Sequence, residues 1–438
     1  MLSDWTGHHG CRFISLTIVR RSEGACAFTM KRRRFLLASS GALLLGMTSP
    51  GRKVSAADAA SLVGGPSAIS RRITLFLCGD VMTGRGIDQI LPHPSKADLY
   101  EPYVRSAQEY VALAERHGGR LVRPVSFDYV WGDALAELEH ARPDVRIVNL
   151  ETAVTASDEA WPGKGVHYRM HPANVACLSA ARLDCCVLAN NHVLDWGRIG
   201  LEETLATLHA AGLRAAGAGR DEVEAAAPAV IPLSGRGRVL VFAYAMPSSG
   251  VPAAWAATTR RSGVNLLDDL SPRSIETIAQ HVGTHKGSGD LAVLSIHWGS
   301  NWGYSISPSE RDFARRLVDT AAVDVVHAHS SHHAKGIEVY REKPILYGCG
   351  DLLNDYEGIS GHEEYRSDLG LMYFATFDNA SRKLSQLVLA PTRMHRFRLN
   401  RAAEDEAAWL MAVLNREGRK LGTRIEGQPD HTLAVRWS

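Results

Sequence analysis

The sequence predicts an α/β fold, and two observations carry this prediction. Hydrophobic residues make up 45% of the 438 residues, which is enough to bury a substantial core in one large domain or two smaller ones. From residue 73 onward, short runs of β-branched and apolar residues alternate with segments of helical periodicity, which is typical of α/β domains.

The predicted elements follow one another in a regular alternation. Strands are predicted at residues 73–78, 145–150, 185–189, 239–244, 291–296 and 323–328. Helices are predicted at residues 133–141, 173–182, 199–211, 272–283 and 309–321. The last of these helices has a clear start, because Ser307 offers an N-cap, Pro308 a first-turn proline and Glu310 an acidic third residue.

The later part of the chain predicts a second sheet or a mixed one. Three stretches alternate in the manner of antiparallel strands, namely KPILYGCGD, LGLMYFATF and LSQLVLAP. A helix at residues 405–416 is expected to close the fold. Residues 93–128 have weak periodicity and are predicted to be a surface excursion, and residues 352–368 are predicted to be a polar loop dense in carboxylates.

The N-terminal part of the chain has the pattern of an export signal. From Met30 a basic start precedes an apolar stretch of 13 residues, and small residues follow it. Because a transmembrane helix needs about 20 apolar residues, we expect a protein that is peripheral to the membrane at most, with an uncleaved N-terminal anchor as the alternative. Arg32 and Arg33 resemble the twin-arginine pattern, so we expect an extracytoplasmic protein, periplasmic or secreted, with cleavage after Ala56.

These patterns divide the chain into five segments. They are an over-extended gene start at 1–29, a twin-arginine-like signal peptide at 30–56, a linker at 57–72, the main domain at 73–400 and a C-terminal helical extension at 401–438.

Charge and cysteine content exclude several classes of function. The 49 basic residues nearly balance the 47 acidic ones without a long single-sign block, so neither nucleic-acid binding nor a polybasic membrane patch is indicated. Five cysteines follow the signal segment, and they lie mostly in apolar runs without a CxxC pair: Cys78, Cys177, Cys185, Cys186 and Cys349. We expect them to be buried small hydrophobic residues and not a disulfide framework.

Five predicted strands end in residues that bind metals or transfer protons. These residues are Asp80, Glu151, the pair Asn191 and His192, His297, and the pair His329 and His332. Because the carboxyl ends of parallel strands meet at one crevice, we expect these side chains to converge. Carboxylate and amide oxygens mixed with imidazoles suit manganese, iron or zinc, in a site for one or two divalent ions.

At these positions the sequence resembles the CapA family of capsule and poly-gamma-glutamate biosynthesis proteins. The matching stretches are GDVMTGR (79–85), NLETAV (149–154), LANNHVLDWGRIGLEETL (188–205), HWG (297–299), DVVHAHSSHHAKGIEVY (324–340) and PILYGCGD (344–351). The resemblance implies a metallophosphatase-like fold, a four-layer α/β/β/α sandwich of two mixed β-sheets flanked by helices. It also implies six metal ligands, Asp80, Glu151, Asn191, His297, His329 and His332, with His192 as the catalytic residue that meets the substrate.

The sequence departs from the metallophosphatase pattern in two places. Met82 stands where that pattern has a histidine, and two serines separate His329 from His332 where one residue is usual. The first departure removes a ligand from one metal position, so the number of ions, one or two, stays open.

Further polar residues near these motifs receive less specific predictions. Arg85 is predicted to bind an anionic group of the substrate, with a surface salt bridge as the alternative. Asp351 is predicted to bind substrate at the mouth of the crevice, with a solvated acidic loop as the alternative for it and for Asp355 and Glu357. Asp195 is expected to cap the helix that follows it, with orientation of a site histidine as the alternative.

Two histidines and one asparagine of the same motifs are predicted to support the site without binding the metal. His327 and His333 are expected to lie behind the ligands or on the surface, because strand alternation turns them away from the chosen pair. Asn190 is expected to shape the turn before Asn191.

Two functions from different classes follow from these patterns. The first is an exported metal-dependent hydrolase or transferase that acts on an anionic envelope polymer or a phosphoester in capsule or poly-gamma-glutamate production. The second is a non-catalytic factor that binds the polymer or assists envelope biosynthesis or export machinery. A serine hydrolase using Ser330 or Ser331 is disfavoured, because the sequence has no nucleophile elbow there.

Overall fold

A computed structural model describes residues 72–438. The predicted gene start and signal peptide, and the linker up to residue 71, lie outside the described residues. Within residues 72–438, none of the helices combines the length and the apolar character that a membrane crossing requires.

The described residues form twenty strands and eight α-helices. The strands are β1 (Arg72–Val81), β2 (Val145–Leu150), β3 (Ala153–Val154), β4 (Arg169–Met170), β5 (Cys185–Val187), β6 (Arg214–Ala216), β7 (Ala218–Gly219), β8 (Ala229–Pro232), β9 (Arg238–Ala245), β10 (Gly263–Val264), β11 (Leu291–His297), β12 (Val325–His329), β13 (Ile337–Tyr340), β14 (Lys343–Leu346), β15 (Asp351–Leu353), β16 (Leu369–Asp378), β17 (Leu384–His395), β18 (Arg398–Arg401), β19 (Thr423–Gly427) and β20 (Leu433–Trp437). The helices are α1 (Gln108–Gly118), α2 (Ala134–Ala141), α3 (Ala176–Ala180), α4 (Gly197–Ala210), α5 (Glu222–Ala226), α6 (Pro272–His285), α7 (Pro308–Thr320) and α8 (Glu404–Gly418).

Two mixed sheets dominate the fold. The first sheet has the order β19-β20-β17-β16-β1-β2-β5-β6, with β15 paired to β1 and β18 paired to β17. Its β1, β2, β5 and β6 strands are parallel, whereas β16 runs antiparallel to β1 and β17 runs antiparallel to β16. The second sheet has the order β13-β14-β12-β11-β9-β8, with a parallel centre and antiparallel edges. The remaining pairs, β3 with β4 and β7 with β10, are short.

Strand β9 shows how the layers stack, because its side chains alternate between two hydrophobic clusters. Val239 and Val241 belong to the cluster that contains the core of the first sheet. Leu240 and Phe242 belong to a second cluster with buried residues of α6 and α7. The second sheet therefore lies between the first sheet and these two helices.

Helices α2, α3, α4 and α8 contribute buried side chains to the cluster of the first sheet. Two mixed sheets with helices packed against both confirm the predicted α/β class and its sandwich layering.

The predicted elements between residues 73 and 329 are found with small changes in their bounds. Helix α7 begins with the predicted capping box, since the Glu310 backbone N–H donates to Ser307 Oγ at 3.1 Å and the Ser307 N–H donates to Glu310 Oε2 at 2.7 Å. All five cysteines of the described range are buried and free, as predicted.

Two predictions about the outer segments need correction. The surface excursion at 93–128 contains helix α1, whose Tyr110 and Val111 are buried. The segment 401–438 is not only helical, because β19 and β20 follow α8 and extend the first sheet beside β17. The reason is the burial of alternate apolar residues in these strands, such as Ile425 and Val435.

Candidate metal centre

The polar residues that end the strands converge where the two sheets meet. Asp80 and Glu151 come from β1 and from the residue after β2 in the first sheet, whereas His297 and His329 end β11 and β12 of the second. The crevice thus lies between two sheets and not along the edge of one. The predicted convergence is present, because each predicted ligand contacts another polar residue of the crevice.

Asp80 and Glu151 are fully buried carboxylates that share one amide donor. Asn149 Nδ2 donates to Asp80 Oδ1 at 2.8 Å and to Glu151 Oε2 at 3.2 Å. Burial and the nearby Asp351 carboxylate raise the pKa of Asp80 to about 7. Burial and Asp80 raise the pKa of Glu151 well above its ordinary value. The Oδ2 atom of Asp80 is buried without a hydrogen-bond partner, so it is free for a cation.

Asp351 lies inside the cluster and not at the mouth of the crevice. Its Oδ1 atom is 2.9 Å from Nδ1 of His332, and Asn354 Nδ2 donates to its Oδ2 at 2.9 Å. The same His332 nitrogen lies 4.0 Å from Asp80 Oδ2. Burial lowers the pKa of His332, but the Asp351 and Asp80 carboxylates outweigh it and the net shift is upward. Substrate binding by Asp351 stays a prediction. The position of its carboxylate beside Asp80 and His332 is that of a metal ligand.

The second group of donors is rich in imidazole. His297 Nδ1 lies 2.7 Å from His329 Nδ1, and His297 Nε2 lies 3.1 Å from Asn191 Oδ1 and 3.8 Å from Glu151 Oε1. Burial lowers the pKa of both histidines well below the ordinary value, so both are neutral near pH 7. Neutral imidazole nitrogens and amide oxygens present lone pairs, which is the form that binds a metal ion.

His192 is held by two charged side chains. Its Nδ1 atom is 2.7 Å from Asp195 Oδ2 and 2.9 Å from Lys164 Nζ, and Lys164 also contacts Asp195 Oδ1 at 2.6 Å. Burial lowers the pKa of His192 to about 4, so the ring is neutral near pH 7. The Asp195 carboxylate only accepts and makes the shorter of the two contacts to Nδ1, so we assign the proton to Nδ1, and the Lys164 ammonium pairs with Asp195 Oδ1. With this assignment Nε2 carries the lone pair, and it lies 3.8 Å from Glu151 Oε1.

The predicted capping role of Asp195 is wrong. Helix α4 begins after Trp196 without a side-chain cap, and the Asp195 carboxylate accepts from the Tyr168 backbone N–H and faces His192. The reason is that the chain between His192 and α4 forms a tight turn, which directs the carboxylate back to the imidazole three residues earlier.

Asn190 holds the turn after β5, as predicted. Its Oδ1 atom accepts from the backbone N–H groups of His192 and Val193, both at 3.1 Å. Its Nδ2 atom donates to Asn149 Oδ1 at 3.0 Å. The sequence analysis missed Asn149, although its place two residues before Glu151 puts both on one side of β2 and its continuation.

The two remaining histidines are buried and not on the surface. His327 Nε2 donates to the Cys78 carbonyl at 2.7 Å, and its ring contacts Ser295, whose hydroxyl is 2.8 Å from His329 Nε2. His327 therefore lies behind the proposed ligand His329, as one of its two predicted alternatives states. His333 accepts from the Gly303 N–H and stacks on Tyr365, away from the cluster.

Arg85 is buried, so the alternative of a surface salt bridge is wrong. Its guanidinium makes a two-pronged contact with Asp355 at 2.5 and 3.1 Å and donates to Glu101 at 3.0 Å. Burial of Asp355 and Glu357 also contradicts a solvated acidic loop. Two carboxylates already pair with Arg85, so substrate binding by this residue stays a prediction that the charge balance disfavours.

A cavity of about 1020 Å³ opens beside the cluster. Its lining joins residues of the cluster to a more distant aromatic wall: Asn191, His192, His332, Lys164, Trp302 and Tyr356. The cavity is therefore large enough to hold a large substrate against His192, which lines it.

Two sets of side chains have the spacing of a metal site, and they share Asp80. One comprises Asp80, His297 and His329, and the other comprises Asp80, His332 and Asp351, with ligand atoms within 4.8 Å of one another in each. None of the three clustered carboxylates pairs with a lysine or arginine among the described residues. Buried carboxylates need a compensating cation, so the donor set fits divalent metal.

Comparisons with known proteins agree with the motif resemblance. Residues 74–356 match the family described as "Bacterial capsule synthesis protein PGA_cap". The chain is 49% identical over 364 residues to a "Probable polyglutamine synthesis accessory protein" of Mycobacterium tuberculosis, covering 83% of this chain and 96% of that protein. It is 24% identical to "Capsule biosynthesis protein CapA" of Bacillus anthracis, covering 65% of this chain and 61% of that protein. A solved phosphatase structure from Mycoplasma pneumoniae is 10% identical with a TM-score of 0.40, covering 73% of this chain and 93% of that chain.

Proposed function

The chain belongs to the bacterial capsule synthesis family PGA_cap, and we propose that it serves there as a metal-dependent hydrolase or transferase. The proposed substrate is an anionic envelope polymer or a phosphoester intermediate of its synthesis. Relatives named for polyglutamine and capsule synthesis support this setting, and with it an association with the biosynthetic machinery.

The observation that carries the enzymatic proposal is a cluster of three buried carboxylates that face one histidine of raised pKa, His332, and pair with neither a lysine nor an arginine among the described residues. Asp80, Glu151 and Asp351 crowd into one site, and Asp80 Oδ2 accepts no hydrogen bond. The proposed ligands are those that the sequence predicts, Asp80, Glu151, Asn191, His297, His329 and His332. A bound divalent ion, manganese, iron or zinc, supplies a nucleophilic water near neutral pH and stabilises negative charge on the reacting group.

His192 is the proposed proton-transfer residue. It lines the cavity, its Nδ1 is held by Asp195, and its Nε2 lone pair points toward the cluster. Because burial lowers the pKa of His192 to about 4, the ring is unprotonated near pH 7 and can take up a proton, so His192 acts first as an acceptor. Lys164 keeps Asp195 ionised and so keeps the imidazole oriented.

The size of the cavity favours a segment of polymer over a small metabolite. Its volume of about 1020 Å³ is at the upper end of the range for small-molecule pockets, and its lining extends to Trp302 and His362 beyond the cluster. Those two rings stack at 4.0 Å and form a wall against which an extended chain can lie.

The proposed place of action is outside the cytoplasm, with export by a twin-arginine-like signal. Residues 30–56 support this proposal through their basic start, apolar stretch and small residues. Cell fractionation of the wild type and of a variant with Arg32 and Arg33 replaced by lysine tests it. Cytoplasmic retention of the variant alone is expected, and an unchanged distribution would contradict export by this route.

Elemental analysis followed by a substrate screen tests the enzymatic proposal. Purified full-length protein should contain bound manganese, iron or zinc, and it should cleave or transfer a member of a panel of phosphoesters and gamma-glutamyl polymers. The His192→Ala variant should keep its metal and lose activity. A protein without transition metal, together with unchanged polymer production by His192→Ala, would favour the non-catalytic polymer-binding function instead.

A further inference from the structure

We propose that the centre has two chemically distinct cation positions that share Asp80, and that Asp351 is a ligand of the oxygen-rich one. That position comprises Asp80, Asp351 and His332, and the imidazole-rich position comprises Asp80, His297 and His329. The inference rests on the proposed metal-dependent function. It makes Asp351 a metal ligand, whereas the sequence predicts that Asp351 binds substrate.

The backbone sets Asp80 and Asp351 side by side. The tripeptide Cys-Gly-Asp occurs at 78–80 and again at 349–351. The first copy lies on β1 and the second ends at Asp351, the first residue of the parallel strand β15, so that Asp80 lies opposite Asp351. Their glycines allow a close approach: a Cβ on Gly79 would lie 1.8 Å from the Gly350 carbonyl oxygen, and Gly350 has a φ of 75°. The juxtaposition of the two carboxylates is therefore built into the chain.

Each of the two carboxylates is oriented by an amide and directs its other oxygen to a common point. Asn149 binds Asp80 Oδ1, and Asn354 binds Asp351 Oδ2. The remaining oxygens, Asp80 Oδ2 and Asp351 Oδ1, lie 4.0 and 2.9 Å from the same nitrogen of His332. Asp80 Oδ2 is wholly buried and accepts no hydrogen bond, so its lone pairs are available to a cation.

Asp351 supplies the donor that Met82 does not. The Met82 sulfur lies 3.8 Å from the hydroxyl of Tyr356, whose ring is 5.5 Å from that of His332. A thioether is a poor ligand for the hard divalent ions that carboxylates prefer. With Asp351 as a ligand, the oxygen-rich position has three donor residues, Asp80, Asp351 and His332, and does not need Met82.

The two positions differ in the ions that they prefer. Two carboxylates and one imidazole favour a harder ion such as manganese, whereas two imidazoles with the nearby Asn191 amide and one carboxylate favour zinc. Asp80 belongs to both sets and would hold both ions. Loss of Asp351 should therefore weaken one ion and leave the other.

Metal binding by the full-length protein tests the proposal without any activity assay. Chelator-treated wild type, Asp351→Asn and a matched control, Glu363→Gln, are dialysed against Mn²⁺ and Zn²⁺, and bound ions are counted by elemental analysis. Glu363 is an exposed carboxylate of the same loop that lines the cavity but lies outside both sets. Bound Mn²⁺ is also followed by electron paramagnetic resonance.

Wild type and Glu363→Gln should bind two ions, whereas Asp351→Asn should keep zinc and lose about 100-fold or more in manganese affinity. His332→Gln should repeat this loss, and His297→Gln should weaken zinc instead. Circular dichroism and thermal unfolding in chelator establish that each variant folds. Two ions with unchanged affinity in folded Asp351→Asn, or equal loss of both ions, would overturn the proposal. Absence of metal from the wild type would overturn the proposed function itself.

Discussion

The buried Asp80 carboxylate leads to a prediction in which metal reverses the sign of a stability change. In chelator at pH 8, Asp80→Asn should be more stable than the wild type, because it removes a charge that is buried beside Asp351. With manganese or zinc in excess, the same variant should be less stable, because it loses a ligand to both ions.

The magnitude follows from the pKa of Asp80, which burial and Asp351 raise from 3.8 to about 7. At about 1.4 kcal/mol for each pH unit, this rise corresponds to about 4 kcal/mol as an upper value. Because the folded state binds the proton more tightly, the wild type loses this stability as pH rises from about 4 to about 7. The advantage of Asp80→Asn should therefore be near zero at pH 4 and largest above pH 7.

Urea unfolding of both proteins from pH 4 to pH 8, with chelator and with metal, measures this difference. The buried histidines also titrate in this range, but they are common to both proteins, so the comparison removes their contribution to first order. Asp405→Asn, at an exposed position of α8, is the matched control and should change stability by less than about 1 kcal/mol at every pH. A folded Asp80→Asn protein that is less stable than wild type in chelator at pH 8 would refute the reasoning.

Three further predictions concern the residues around the centre. His192→Ala should keep its bound metal while turnover falls about 100-fold to 10,000-fold, measured on whichever substrate the screen identifies; metal loss would contradict a proton-transfer role. Asp195→Asn should lower turnover with metal content unchanged and shift its pH profile, because the amide no longer holds the Nδ1 proton of His192. Arg85→Met should cost about 3 to 5 kcal/mol in chemical unfolding, because Asp355 and Glu101 lose their buried partner, and Asp355→Asn in the same chain should recover part of this loss.

The class of fold and most of its elements could be predicted because their signals are local. Apolar runs such as 291–296 and the capping box at Ser307 depend on neighbours a few residues away, and β11 and α7 form as predicted. The C-terminal strands β19 and β20 were missed because they are short and are stabilised by pairing with β17, which is distant in the chain.

For the site, the sequence determined which residues end the strands, and therefore that Asp80, Glu151, Asn191, His192 and His297 converge. Strand period and direction suffice for that step, since a residue at the carboxyl end of a buried parallel strand has few other places to lie. The second copy of Cys-Gly-Asp was also visible in the sequence and could have drawn attention to Asp351.

Only the tertiary structure decided how these side chains pair. Asp195 faces His192 and not a helix end, Arg85 is neutralised by Asp355, and Asp351 joins His332 and not the cavity mouth. Each of these contacts joins segments whose approach depends on how loops turn after the strands, and no local pattern encodes a turn's final direction. Sequence periodicity therefore places donors at the crevice, whereas the distances that divide them into two sets of side chains arise from the packing of two sheets and the close approach of β1 and β15.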